Sequence, residues 1–175
     1  MTGVSADVVV TTARLVVRRF TADDAASLHE YRNDLEVARY QGWSLPYSRA
    51  DAAALVRTMH EQELFALGVW TQLALATRQE PTALIGDIGV RIEPVEPTAE
   101  VGFTVARAHW GNGYAAEALT AVVEHLIEQL GLARVVAFTD RRNEQAQRVL
   151  ERAGLRYITE DDNEFLYYRR AQEVP

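Results

Sequence analysis

The sequence predicts an α+β fold: a mixed, mostly antiparallel sheet of about seven strands with about four helices, in the order β-α-α-β-β-β-α-β-α-β-β. Three observations lead there. Residues 69–106 hold three strand-like runs with no helical pattern between them, and consecutive strands with unlike faces pair antiparallel. Only one clear β-α-β crossover follows, and a crossover is where a parallel pair forms. The chain has 175 residues, 48% of them hydrophobic and 25% charged, which suits one core and is short for two.

Residues 1–11 and 171–175 are read as loosely ordered ends of a single domain spanning 1–175. "LVVRRF" (15–20) is rich in β-branched residues and reads as the first strand. Thr21, Asp23 and Asp24 then supply a cap and early acids for a helix over 22–33. Ser48 can cap a second helix over 49–64, where Ala53, Leu55, Val56, Met59 and Leu64 roughly follow a helical stripe. The aromatic, turn-rich "YQGWSLPYS" joins the two helices. Strands follow at 69–77, 83–93 and 98–106. In the last, Val101, Phe103 and Val105 alternate with Gly102 and Thr104. A helix over 114–130 places Ala115, Leu119, Val122, Leu126 and Leu130 on one face and Glu117, Glu124 and Glu128 opposite, and Gly131 ends it. A buried strand (133–140), a helix over 143–155 capped by Asn143 and stopped by Gly154, and a closing hairpin complete the order.

Composition removes several functions. The formal net charge is -7, which disfavours a sequence-independent grip on nucleic acid or an anionic membrane. The absence of cysteine excludes disulfides, thiolate metal sites and a covalent acyl-cysteine. No basic residue precedes the valine run at 8–10, so the N-terminus does not read as a signal peptide, and no stretch approaches a membrane span. A cytoplasmic location is expected. His29, His60 and His125 lack metal-ligand partners at suitable spacing, so no metal is expected.

The chemically informative stretch is "AHWGNGYAAEALTAVVEHL" (108–126). A helix start offers unsatisfied N–H groups and the positive end of a dipole, and Gly111 and Gly113 let the backbone approach an anion there. From spacing alone a phosphate cradle and a plain turn stay equally open. Gly111-x-Gly113-x-x-Ala116 also satisfies a relaxed dinucleotide fingerprint, with Asp140 about where a ribose-binding acid would sit. Against that reading, "ARAHW" separates loop from strand, the preceding strand alternates, and too little chain follows for a doubly wound sheet.

The chain resembles the GCN5-related N-acetyltransferase (GNAT) family, in the branch that acetylates ribosomal-protein N-termini (RimJ/RimL-type). The resemblance runs from "ARLVVRRFTADDAASLHEYRND" through "IGDIGVRI" and "AEVGFTV" to "NEQAQRVLERAGLRY", and is most specific at "WGNGYAAEA" (110–118). It implies a sheet that splays between two adjacent strands and admits acetyl-CoA to the gap. By that analogy the strand at 99–106 pairs with the pantetheine arm through Phe103, Thr104 and Val105. Gly111, Asn112, Gly113, Tyr114 and Ala115 hold the pyrophosphate, and Asn143 reaches the pantetheine. Arg148, with Arg142, meets the adenosine phosphates; the alternative is that both are solvated helix charges. Tyr40, Gln41, Trp43 and Tyr47 fall where family members line the acceptor pocket, although loop aromatics also serve as core anchors.

Direct transfer to a primary amine needs a neutral nucleophile, a base for its proton and donors for the oxyanion. Glu100 is the candidate base, its alternative being an ordinary strand residue. The family often carries a tyrosine seven residues after the Asn, and this branch a serine three after it, to meet the departing thiolate; here the residues are Leu150 and Ala146. Three readings follow: an acetyl-CoA-dependent N-acetyltransferase for a protein N-terminus or small amine, a weakly catalytic acyl-CoA sensor of the same fold, and a dinucleotide enzyme. Acidity favours a cationic acceptor, and relatives are often homodimers.

Overall fold

A computed structural model describes residues 7–160 and 164–171. Its strands are β1 (Val8–Thr11), β2 (Leu15–Arg18), β3 (Trp70–Thr77), β4 (Gly86–Ile92), β5 (Thr98–Val105), β6 (Arg134–Asp140), β7 (Arg156–Glu160) and β8 (Glu164–Arg170). Its helices are α1 (Ala25–Arg32), α2 (Leu35–Ala38), α3 (Arg49–Glu61), α4 (Tyr114–Glu128) and α5 (Glu144–Arg152). The strands form one sheet in the order β1-β2-β3-β4-β5-β6-β8-β7. Every neighbouring pair is antiparallel except β5/β6, which the α4 crossover joins in parallel.

All predicted strands and helices are present, with four differences, the first being that the helix expected over 49–64 ends at Glu61 and leaves Leu64 beyond it. Val8–Thr11, placed by the sequence pattern in a loosely ordered end, pairs antiparallel with β2 as an edge strand. The helix expected over 22–33 begins as a 3-10 turn at Ala22–Asp24, where Asp24 Oδ2 accepts from the Thr21 amide, and a further single turn, α2, follows it. Leu130, expected on the buried face of α4, is 41% exposed because that helix ends at Glu128 and Gly131 turns the chain at φ +69°. At the other end, the Ala171 amide donates to the Ala133 carbonyl, while residues 1–6 and 172–175 lie outside the described ones.

The strand pleat divides the core in two. Leu73, Leu75, Ile88, Val90 and Val101 meet Leu119, Val122, Val123 and Leu126 of α4 on one face. On the other, Ala74 joins Phe20 and the inner sides of α1 and α3, including Leu28, Val56 and Met59. Each large aliphatic chain fully buried there contributes about 1.5–3 kcal/mol, so packing, more than helix propensity, fixes α4 against the sheet.

One departure from a continuous sheet positions everything that follows. β5 and β6 pair only through Thr98↔Arg134, Ala99↔Val135 and Glu100↔Val136. Beyond Glu100 the strands part. Val101–Val105 continue on β4, and Ala137–Asp140 continue on β8.

Candidate functional site

The parted strands open onto the start of α4. Gly111 (φ +78°) and Gly113 (φ +75°) both adopt the left-handed conformation that side chains resist. Gly113 is the N-cap of α4 and carries no side-chain cap, so the first-turn amides are left to an external acceptor. The loop is tied from behind. Asn112 Nδ2 donates to the His109 and Trp110 carbonyls, at 3.0 and 3.2 Å, and Arg14 Nη1 donates to the Asn112 carbonyl at 3.0 Å. Arg14 also pairs with Glu117 at 2.6 Å, and Thr12 Oγ1 donates to the same carboxylate at 2.5 Å. Partial burial pushes the Glu117 carboxyl up, but the bonds from Thr12 and Arg14 outweigh it and hold the group below its ordinary value. The turn between β1 and β2 thus braces a helix about a hundred residues away in sequence.

The free edge of β5 supplies a second set of donors. The Glu93 amide bonds the Thr98 carbonyl and the Ala106 amide bonds the Ile85 carbonyl, so even-numbered residues direct their backbone at β4. Phe103 and Val105 therefore direct theirs into the gap. Their carbonyls are engaged, the first by Gln41 Nε2 at 3.4 Å and the second by Trp110 Nε1 at 2.7 Å. Their amides face the gap beyond the last strand pair.

Two adjoining cavities fill this region. The larger, about 590 Å³, is lined by Phe103, Thr104, Val105, Gly111, Gly113, Tyr114, Ala115, Asn143 and Arg148, with Tyr40 and Gln41 across from them. The smaller, about 350 Å³, enters the wedge between β5 and β6 and is lined by Val101, Gly102, Ala137, Thr139, Ala146 and Leu150. Arg39, Tyr40, Gln41, Phe103, Asn143 and Ala146 border both. Arg39, Arg142, Arg148 and Arg152 line the mouth together with Glu36 and Glu144. Three of them are paired with carboxylates, Arg39 with Glu36 at 3.8 Å. Arg142 grips Asp140 at 2.8 and 2.9 Å, which keeps that carboxyl at about 2, and Arg148 meets Glu144 at 3.2 Å. Asn143 Oδ1 caps α5 by accepting from the Ala146 amide at 3.1 Å.

Glu100 borders neither cavity. It stands at the apex, the last residue of β5 paired with β6, and Arg91 across the ladder bonds it at 3.0 Å. Burial lifts its carboxyl above the ordinary range; Arg91 pulls it down, and Glu93 and Glu164 push it up. Asn112 supports the loop and is not among the lining residues. Trp43 and Tyr47, expected in an acceptor pocket, line neither cavity: both rings flank the Arg32 guanidinium, at 4.4 and 5.0 Å, and the Trp43 indole donates to the Arg32 carbonyl at 2.9 Å. An arginine at the end of α1 draws these aromatics onto the α1–α3 core.

Sequence reasoning missed a buried polar cluster. Tyr31 donates a short hydrogen bond to Asp87, whose carboxylate lies 4.0 Å from Arg32. Burial raises the Asp87 carboxyl, opposed by Arg32 and by the Tyr31 bond. The only available signal was an aspartate inside an otherwise apolar strand, "IGDIGV". Arg39 and Arg152 at the cleft mouth carried no distinguishing pattern beyond their charge.

A sheet parted beside an uncapped, glycine-led helix start defines the class. The acetyltransferase (GNAT) domain family matches residues 14–156, and the chain belongs to that family. Among individual relatives, the uncharacterized N-acetyltransferase YoaA of Bacillus subtilis is 31% identical over 149 residues, covering 83% of this chain and 81% of its own. The ribosomal-protein-serine acetyltransferase of Escherichia coli is 38% identical over 72 residues, 41% of this chain and 40% of its own. A GNAT-family acetyltransferase from Bacillus anthracis superposes with a TM-score of 0.78 at 24% identity, over 94% of this chain and 99% of that one. Mycobacterium smegmatis RimJ, solved in complex with CoA-disulfide, superposes at 0.73 with 17% identity, over 92% and 84%. Among the described residues no cluster of three or more potential ligands could hold a metal ion, and no helix is long and apolar enough to cross a membrane.

Proposed function

We propose that this protein is an acetyl-CoA-dependent N-acetyltransferase that passes the acetyl group directly to a primary amine, a protein N-terminus or a small cationic molecule, in a ternary complex. The observation that carries the reading is the separation of β5 from β6 past Glu100, with the uncapped start of α4 at its mouth. The residues fit acetyl-CoA. Amides of Gly111–Ala115 offer donors to a pyrophosphate, and the left-handed glycines leave the approach clear. Arg148 and its neighbours at the mouth suit the remaining phosphate. The Phe103 and Val105 amides and Asn143 suit the pantetheine amides. When bound, the coenzyme supplies the activated acetyl thioester.

In this reading the protein contributes alignment, charge and a proton route. A β5 amide pointing into the gap stabilises negative charge on the acyl oxygen. Glu100, at the apex and outside both cavities, takes the proton of the attacking amine through water, and its burial makes it a stronger base than an exposed glutamate. Tyr40 and Gln41 form the near wall against which the acceptor lies. Cytoplasmic residence and a homodimer belong to the same proposal.

Ala146 and Leu150 in the wedge favour a second reading, an acyl-CoA-binding protein with little turnover, because both present only hydrocarbon there. The dinucleotide reading has lost its architecture: the sheet is antiparallel at every pair but one. An amine panel separates the first two. Saturable acetyl-CoA binding with amine-dependent thiol release supports the transferase, and binding with release by no amine supports the sensor.

A further inference from the structure

Acyl transfer from a thioester ends with a departing sulfur that must gain a proton. Among the described residues, the side-chain hydroxyls bordering the two cavities are those of Tyr40, Thr104, Tyr114 and Thr139. Acidity and position separate them. An aliphatic alcohol is a far weaker acid than a thiol, whereas a phenol is close to one. Thr104 and Thr139 are therefore poor donors. Tyr114 opens α4 under Arg14, 4.9 Å from its ring centroid, at the phosphate end of the cleft.

Tyr40 borders both cavities. Its hydroxyl donates to the Arg142 carbonyl at 3.4 Å, and the adjacent Gln41 reaches the Phe103 carbonyl, so this segment spans the gap from one lip to the other. A 3.4 Å bond is long for a hydroxyl and leaves it free to turn toward a better acceptor. Arg39 and Arg142 lie 5.4 and 5.8 Å from the ring centroid. Each guanidinium is itself paired with a carboxylate, Arg39 with Glu36 at 3.8 Å and Arg142 with Asp140 at 2.8 Å, and together they hold the ring across the gap.

We propose that Tyr40 is the catalytic proton donor to the coenzyme A thiolate, a role that rests on the acyl-transfer reading of the same site. The acceptor nitrogen forms the new carbon–nitrogen bond, the carbon–sulfur bond breaks with its electron pair passing to sulfur, and the Tyr40 proton converts the thiolate to the thiol. The proton that Glu100 took from the amine then passes to the phenolate through water, so both groups are restored in each turnover.

The test is Tyr40→Phe, which keeps the ring and removes the hydroxyl. The first readout needs no turnover: the thiol of bound coenzyme A is titrated through the ultraviolet absorbance of its thiolate. The wild-type complex is expected to titrate at lower pH than the Tyr40→Phe complex, because the hydroxyl hydrogen-bonds the thiolate; superimposable curves overturn the proposal. The second is steady-state kinetics, where kcat is expected to fall about 100-fold with both KM values little changed. An acceptor KM that rises while kcat holds leaves Tyr40 a pocket wall and nothing more, and overturns the proposal. An active wild type with an equally active Tyr40→Phe defeats this inference alone, whereas a wild type that binds acetyl-CoA and acetylates no amine defeats the transfer reading as well.

Discussion

At φ +75°, with Arg14 Nη2 3.6 Å from where a Cβ would stand, Gly113 has backbone demands that few other residues meet. Gly113→Val is expected to abolish acetyl-CoA binding by calorimetry, while Gly113→Ala is expected to weaken it and to lower stability by roughly 1–2 kcal/mol from left-handed strain. Unchanged affinity in both removes the cradle. Glu100 makes a pH prediction. Burial lifts its carboxyl, so kcat/KM is expected to fall on acidification at a pH above the usual carboxylate range, and Glu100→Gln is expected to lower the rate and erase that limb. The stability sign is separate: a raised carboxyl favours the fold fully below its ordinary pKa, and that contribution is lost as pH rises through the raised value. Residues whose role is local were legible in the sequence: the glycine turn of Gly111 and Gly113 before α4, and Asn143 as the cap of α5. Trp43 and Tyr47 were not, because their environment is set by Arg32, whose approach depends on how α1 folds back, and a loop aromatic reads the same facing pocket or core.

Elements were legible where the local pattern was strong, as in β2, whose four residues declared themselves by their β-branched run. α4 declared itself through its apolar stripe and α3 through Ser48, whose Oγ accepts from the Asp51 amide at 3.0 Å as the cap pattern implied. β1 and α2 hold four residues each, too few for a period to emerge, and both owe their conformation to neighbours. Asn143→Ala is expected to cost about 1 kcal/mol of stability through the lost cap of α5. In the transferase reading its acetyl-CoA affinity falls further than a comparable destabilisation elsewhere brings, a comparison made by measuring binding and denaturation on the same variants. A stronger effect belongs to Arg18, which is buried at the end of β2 and held to Asp24 at 2.8 Å. Arg18→Ala strands that carboxylate and is expected to lower unfolding free energy by roughly 3–5 kcal/mol in urea titration; a loss under 1 kcal/mol contradicts the assignment.

For the whole molecule, the succession of elements predicted one sheet with a single crossover, and the observed β5-α4-β6 unit is that crossover. The parting of β5 from β6 was not readable from either strand. Both carry ordinary strand residues, and the gap arises where α5, through Ala146 and Leu150, lies against the wedge. Its consequence is energetic as well as geometric, since an open sheet edge leaves donors that a ligand can satisfy. Acetyl-CoA at a hundred times its dissociation constant is therefore expected to add about 2.7 kcal/mol of stability, seen as a rise in Tm that NAD does not reproduce. The most direct measurement is coenzyme A release with mass spectrometry of the acceptor, across a panel of peptide N-termini and small cationic amines. The account predicts saturable, amine-dependent release matched by one acetyl group per amine. Tight acetyl-CoA binding with no acetylated product from any amine contradicts it.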